Sequence, residues 1–209
     1  MMARVSASPS DQSDAALYRL KAARLESLCR RRSDEFGCHG WEHVARVRAL
    51  AAAIGALEGA DPAVVDASAL FHDTMRSEED HAIASARFAE STLLREGFSA
   101  AFAAAVYGAV SSHSFSAGRP AETIEAKVLA DADRLDAMGA IGIYRTVQYN
   151  LEHGFPAVRV AAHIRDKLLK LPALMHTASA RGMAMARLPA LQSYLSALES
   201  ELLDASSSR

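Results

Sequence analysis

Apolar residues recur three or four positions apart over most of this chain and never alternate over a sustained run, which is the period of helices and not of strands. Between 41 and 57 the stripe is Val44, Val47, Ala51 and Ile54. Asp61-Pro62 then places a capping aspartate ahead of a proline at the first helical position. The helix it opens carries Val64, Val65, Ala69 and Leu70 and runs into His72-Asp73. The spacing predicts further helices over 15–32, 81–95, 99–112, 122–150, 158–171 and 174–202, the last two separated by Pro172. Residues 33–40, 76–80 and 113–120 break the pattern with Ser, Gly, Pro and charge, and read as loops. This predicts an all-α chain, a single-domain helical bundle over 14–205 preceded by a polar, Ser-rich tail at 1–13. Gly139 and Gly142 predict a close approach by another helix, of this chain or of a second copy in a homo-oligomer.

Composition narrows the function. The chain has 209 residues, half of them hydrophobic, enough for one substantial core. A net charge of −2 gives no basic balance that would point to nucleic acid. No run of ~20 apolar residues suggests a membrane span, and 1–13 lacks the apolar segment of a secretory signal. Cys29 and Cys38 have no CxxC spacing and form no disulfide framework, so the expected location is the cytoplasm.

The chemistry concentrates in three places. His72-Asp73 ends an apolar helix, where an unpaired imidazole and carboxylate would cost a few kcal/mol each to bury; the plainer alternative is a helix end facing water. His43 opens the helix of 41–57 with Arg46 one turn on, so both can face one pocket; alone, His43 reads more readily as a satisfied core or boundary histidine. Asp131-Ala-Asp133-Arg134-Leu-Asp136 puts three carboxylates and an arginine on an otherwise apolar helix. Asp133 and Asp136 share a face, whereas Asp131 lies about 200° from Asp133 at about 100° per residue. Taken together, His43, His72-Asp73 and Asp133 can ligate one octahedral ion and leave positions for water and substrate.

The order H…HD…D resembles the HD-domain metal-dependent phosphohydrolase superfamily. The likeness extends through HGWEHVARV, ALFHD, SSHSFSAG, EAKVLADADRLDAMGAIGIYR and KLLKLP followed by Thr177, over roughly 37–202, and is similar to its YpgQ/YedJ-type bacterial branch. Gly40 stands where many members of that branch carry Asp. The resemblance implies metal ligands His43, His72, Asp73 and Asp133, the last followed directly by Arg134, which becomes a phosphate contact. It implies a general acid at His81, nine residues after His72; the alternative is an exposed residue at a helix start. His113 is a phosphate contact, a supporting hydrogen-bond partner or an ordinary loop histidine. Lys167 and Lys170 reach a polyphosphate or lie along the surface. His39, His153, His163 and His176 are assigned structural or surface places.

These expectations describe a metal-dependent phosphohydrolase acting on a small phosphate ester or nucleotide. One divalent ion, with manganese first and magnesium, cobalt, nickel or iron as alternatives, acidifies a water that Asp73 also orients. Arg134 and Arg46 offset phosphoryl charge, and His81 protonates the leaving oxygen. The favoured reaction cleaves nucleoside or deoxynucleoside triphosphate to monophosphate and pyrophosphate. Alternatives are a nucleoside monophosphate phosphatase and a non-catalytic metal and nucleotide sensor.

Overall fold

The computed structural model describes residues 9–35, 37–114 and 118–207. It holds helices α1 (Pro9–Arg30), α2 (Trp41–Glu58), α3 (Pro62–Phe71), α4 (His81–Arg95), α5 (Ala100–Ser112), α6 (Ile124–Asp136), α7 (Gly139–Glu152), α8 (Ala157–Asp166) and α9 (Ala178–Ser207), with a 3-10 turn over Leu168–Leu174. No strand occurs among the described residues. The all-α expectation holds.

Local chemistry sets the helix starts. The Asp61 carboxylate accepts from the backbone N–H of Ala63 and Val64, at 2.8 and 3.1 Å, and Pro62 follows it. Ser99, Thr123 and Asp80 cap α5, α6 and α4 in the same way. Each such cap stabilises by roughly 1 kcal/mol. One hydrophobic core runs through the bundle, with Leu25, Ile54, Leu70, Phe71, Leu93, Leu129, Leu135, Ile164 and Leu191 fully buried. Helices α2, α5 and α6 pack against α3, which runs into His72 and Asp73.

Several boundaries differ from the sequence expectation. The first helix begins at Pro9, within the stretch expected as a tail; residues 1–8 lie outside the described residues. The 158–171 helix stops at Asp166 and gives way to the 3-10 turn containing Pro172, and α9 starts only at Ala178 and continues to Ser207. The stretch at 122–150 is two helices with an elbow at Ala137-Met138. Gly139 adopts φ +69° there, a conformation other residues rarely take. A Cβ on Gly142 would lie 2.1 Å from the Ala137 carbonyl oxygen. Gly139 also packs on Arg187 of α9, whose guanidinium donates to Leu135 O at 2.6 Å. The close approach expected of these glycines is therefore made within the chain, and it turns the backbone directly after Asp136.

Candidate metal centre

Three helices deliver the central groups: His43 from the first turn of α2, His72-Asp73 from the end of α3, and Asp133 from the last turns of α6. His43, His72 and Asp73 are buried, while the Asp133 side chain is 30% exposed and opens on a cavity. His43 Nε2 lies 3.5 Å from Asp133 Oδ1 and 3.7 Å from Asp73 Oδ2, and His72 Nε2 lies 3.7 Å from Asp73 Oδ2.

Hydrogen bonds fix how the rings are protonated. His43 donates Nδ1–H to Asp136 Oδ2 at 2.7 Å, and His72 donates Nδ1–H to Ala69 O at 2.8 Å. Each ring therefore carries its lone pair on Nε2. The two Nε2 atoms face each other at 3.1 Å. Two lone pairs so placed repel unless a proton or a cation lies between them. Ligands about 2.1 Å from one ion and at right angles to each other stand about 3 Å apart. The pair thus fits adjacent positions on a single ion, with the two carboxylates at hand to complete the set. Burial lowers His43 to about 4, against the pull of Asp136, which keeps the ring neutral and able to ligate. Burial pushes Asp73 up, but His72, the His39 hydrogen bond and Arg76 outweigh it and hold the carboxyl well below the usual range. The same balance, with His43, His72 and His113 as the lowering partners, keeps Asp133 ionised.

The sequence-predicted residues divide as follows. Asp131 points away from the centre and accepts from His176 N, Thr177 N and the Thr177 hydroxyl at 2.8–2.9 Å, fastening the start of α9. His113 is buried; it donates Nδ1–H to Val110 O at 2.6 Å and turns Nε2 to within 3.9 Å of Asp73 Oδ1. His81 lies at 3.9 Å from the same oxygen, and Asp73, His81 and His113 form a second group able to share a cation. Arg46 does not line the cavity. Its Nε and Nη2 grip the Asp136 carboxylate at 2.6 and 3.1 Å, so its influence runs through His43. Arg134 lines the cavity, with Nη1 on Leu174 O at 3.2 Å and Nε buried without a hydrogen-bond partner. Lys167 and Lys170 line it as well.

Four residues were missed. His39, expected to be structural or on the surface, donates Nδ1–H to Asp73 Oδ2 at 3.0 Å and joins the His43–Asp73 group. Arg76, read as part of a charged loop, donates to His81 Nε2 and His39 Nε2. Asp136 orients His43, and Arg145 in turn meets Asp136 at 3.0 Å. The pair of histidines four apart, His39 and His43, was the one available signal for His39; Asp136 was visible as sharing a face with Asp133, but its bond to His43, like that of Arg76 to His39 and of Arg145 to Asp136, depends on pairings across the fold.

The cavity beside Asp133 has a volume of about 730 Å³. Arg76, Arg134, Arg145, Arg159, Lys167 and Lys170 line it, against the acidic Asp133 and Asp166. In a chain of net charge −2 this is a local concentration of positive charge suited to an anion.

The HD domain family model matches residues 40–138, the span that holds every one of the four central groups. YpgQ of Bacillus subtilis is 35% identical over 179 residues, 81% of this chain and 87% of that protein. This chain belongs to the HD-domain superfamily, in its YpgQ-like branch. The HD-domain fold is shared with solved structures. B. subtilis YpgQ in complex with ADP matches with a TM-score of 0.73 at 32% identity, covering 86% of this chain and 97% of that one. An HD-superfamily hydrolase from Bacillus thuringiensis matches with a TM-score of 0.71 at 26% identity, covering 88% and 97%. An HD domain implies a divalent metal and a hydrolytic reaction, and the donor set built here by His43, His72, Asp73 and Asp133 suits both. No helix among the described residues is long and apolar enough to cross a membrane.

Proposed function

We propose that this HD-domain protein hydrolyses nucleotides, with nucleoside or deoxynucleoside triphosphates as substrates and monophosphate and pyrophosphate as products, in the cytoplasm and with manganese as the working ion. The observation that carries the reading is the facing pair of Nε2 lone pairs on His43 and His72, set between two ionised carboxylates at the edge of a cation-lined cavity. That B. subtilis YpgQ forms a complex with ADP supports a nucleotide ligand for this chain.

A divalent ion bound there supplies an acidified water and offsets charge on the phosphoryl oxygens. The chain's own residues do the rest. Asp136, held by Arg46 and Arg145, keeps the His43 lone pair aimed at the centre. His39 holds one oxygen of Asp73, which fixes the carboxylate that orients the attacking water. Arg134 and Lys167 gather the phosphates from the cavity side. Water attacks the α-phosphorus, the bond to the bridging oxygen breaks, and His81 protonates the pyrophosphate that leaves. Burial and the Arg76 guanidinium lower the His81 pKa, so the negative charge of the substrate is what favours the protonated ring.

The test is a panel of nucleoside and deoxynucleoside triphosphates incubated with the purified chain and manganese, with phosphate and pyrophosphate separated. Pyrophosphate is expected. Release of orthophosphate from monophosphates alone indicates a monophosphatase, and no turnover of any member indicates a sensor.

A further inference from the structure

We propose that Arg76 is a phosphate-recognition residue, whose guanidinium exchanges His39 and His81 for an oligophosphate ligand. The proposal rests on the nucleotide reading of the same site and adds to it the residue that first meets the phosphates.

Arg76 comes from the loop between α3 and α4, directly after the His72-Asp73 pair, and its side chain is 44% exposed. Its Nη1 donates to His81 Nε2 at 2.9 Å and its Nη2 to His39 Nε2 at 3.1 Å. Its carboxylate contact, Asp73 Oδ1, is 3.5 Å away, at the limit of a hydrogen bond. Asp73 is already engaged by His39. The guanidinium therefore rests against two imidazole rings, with no carboxylate among the described residues closer than 3.5 Å, although it is the side chain best shaped to grip a pair of anionic oxygens. An anionic phosphoryl group offers that guanidinium an opposite charge and paired oxygens, which an imidazole nitrogen does not. A phosphoryl group entering the cavity that Arg76 and Asp133 both line is a better partner than either ring.

The exchange has a second consequence. While Arg76 donates to His81 Nε2, the ring nitrogen closest to Asp73 is covered. Moving the guanidinium to the ligand uncovers that nitrogen beside the phosphate chain. Arg76 thus joins ligand arrival to exposure of the group assigned to the leaving oxygen.

The experiment measures binding, so that it stands apart from turnover. Inorganic tripolyphosphate is titrated into the full chain by calorimetry with manganese in excess, for wild type, Arg76→Ala and Arg76→Lys. Arg76→Ala is expected to weaken binding at least about tenfold, with Arg76→Lys recovering part of the loss and metal content and Tm held near wild type. A structure with tripolyphosphate is expected to show Arg76 on a phosphoryl oxygen. Equal affinities, absence of tripolyphosphate binding to wild type, or a guanidinium still on His39 and His81 in the bound structure overturns the proposal. A chain that binds tripolyphosphate through Arg76 yet cleaves no triphosphate refutes the hydrolase reading and leaves this one standing.

Discussion

Asp136 accepts the Nδ1–H of His43 at 2.7 Å across 93 positions of sequence. The same carboxylate holds Arg46 and Arg145, so one buried group pairs with two guanidinium ions and aims one imidazole. Replacing Asp136 with Asn keeps the shape and loses the charge; by the usual behaviour of groups that orient a ligand, metal affinity should fall about 10- to 100-fold. Asp136→Ala takes the carboxylate partner from the buried Arg145, at a cost of about 3 kcal/mol or more. For a chain of this length that is about 6–12 °C in Tm. Metal titration of the Asn variant and thermal unfolding of the Ala variant check the two effects.

Asp73 lies within reach of His39, His43, His72, His81 and His113. Asp73→Ala should abolish both bound metal and turnover, since a carboxylate so surrounded has no substitute nearby. Metal analysis of the purified variant alongside a triphosphate assay reads both. Unchanged turnover in a metal-free preparation would refute the mechanism.

The elbow after Asp136 gives a prediction about stability. Gly142→Ala would place a methyl group 2.1 Å from the Ala137 carbonyl oxygen, which is backbone and cannot swing aside. Overpacking of this kind typically costs about 1–3 kcal/mol, or about 2–12 °C in Tm for a chain of this size. A melting temperature equal to wild type would mean the elbow is not as tight as described.

Asp66 offers a pH test away from the metal centre. It accepts from Arg48 at 2.8 and 2.9 Å and from the Tyr18 hydroxyl at 2.7 Å, tying α1, α2 and α3 together. Burial raises its pKa, but the hydrogen bonds from Arg48 and Tyr18 outweigh that and lower it below its ordinary value of 3.8. A carboxyl depressed in the folded state stabilises fully above its unfolded pKa and loses that contribution as pH falls through the folded value. The Tm difference between wild type and Asp66→Asn should therefore be constant at neutral pH and shrink below about pH 4. A difference that grows on acidification contradicts the assignment.

The helical period carried the helices, and a polar pair at the end of an apolar helix, as at His72-Asp73, is costly unless something satisfies it, a cost visible in one dimension. His43 and Asp133 were singled out by the family's order H…HD…D, in which the last aspartate is followed directly by a residue such as Arg134. The helical period of 122–150 hid the elbow, because α6 and α7 each keep an apolar face and only Gly139 and Gly142 mark the turn. His39 and Arg76 lie in loops, where no period reveals direction, and they acquire meaning only beside Asp73 and His81. Arg46 was placed on the correct face of α2, but its partner is Asp136, 90 positions away. Such a pairing follows from how α2 packs on α6 and not from the residues near it.

Everything proposed for the chemistry depends on one ion sharing the His43 and His72 lone pairs. Anomalous scattering at the manganese absorption edge, from crystals of the manganese-loaded chain, tests this directly. The account predicts a peak about 2 Å from His43 Nε2 and His72 Nε2 and in reach of the Asp73 and Asp133 carboxylates. A peak elsewhere, or none beside these four residues, would contradict it.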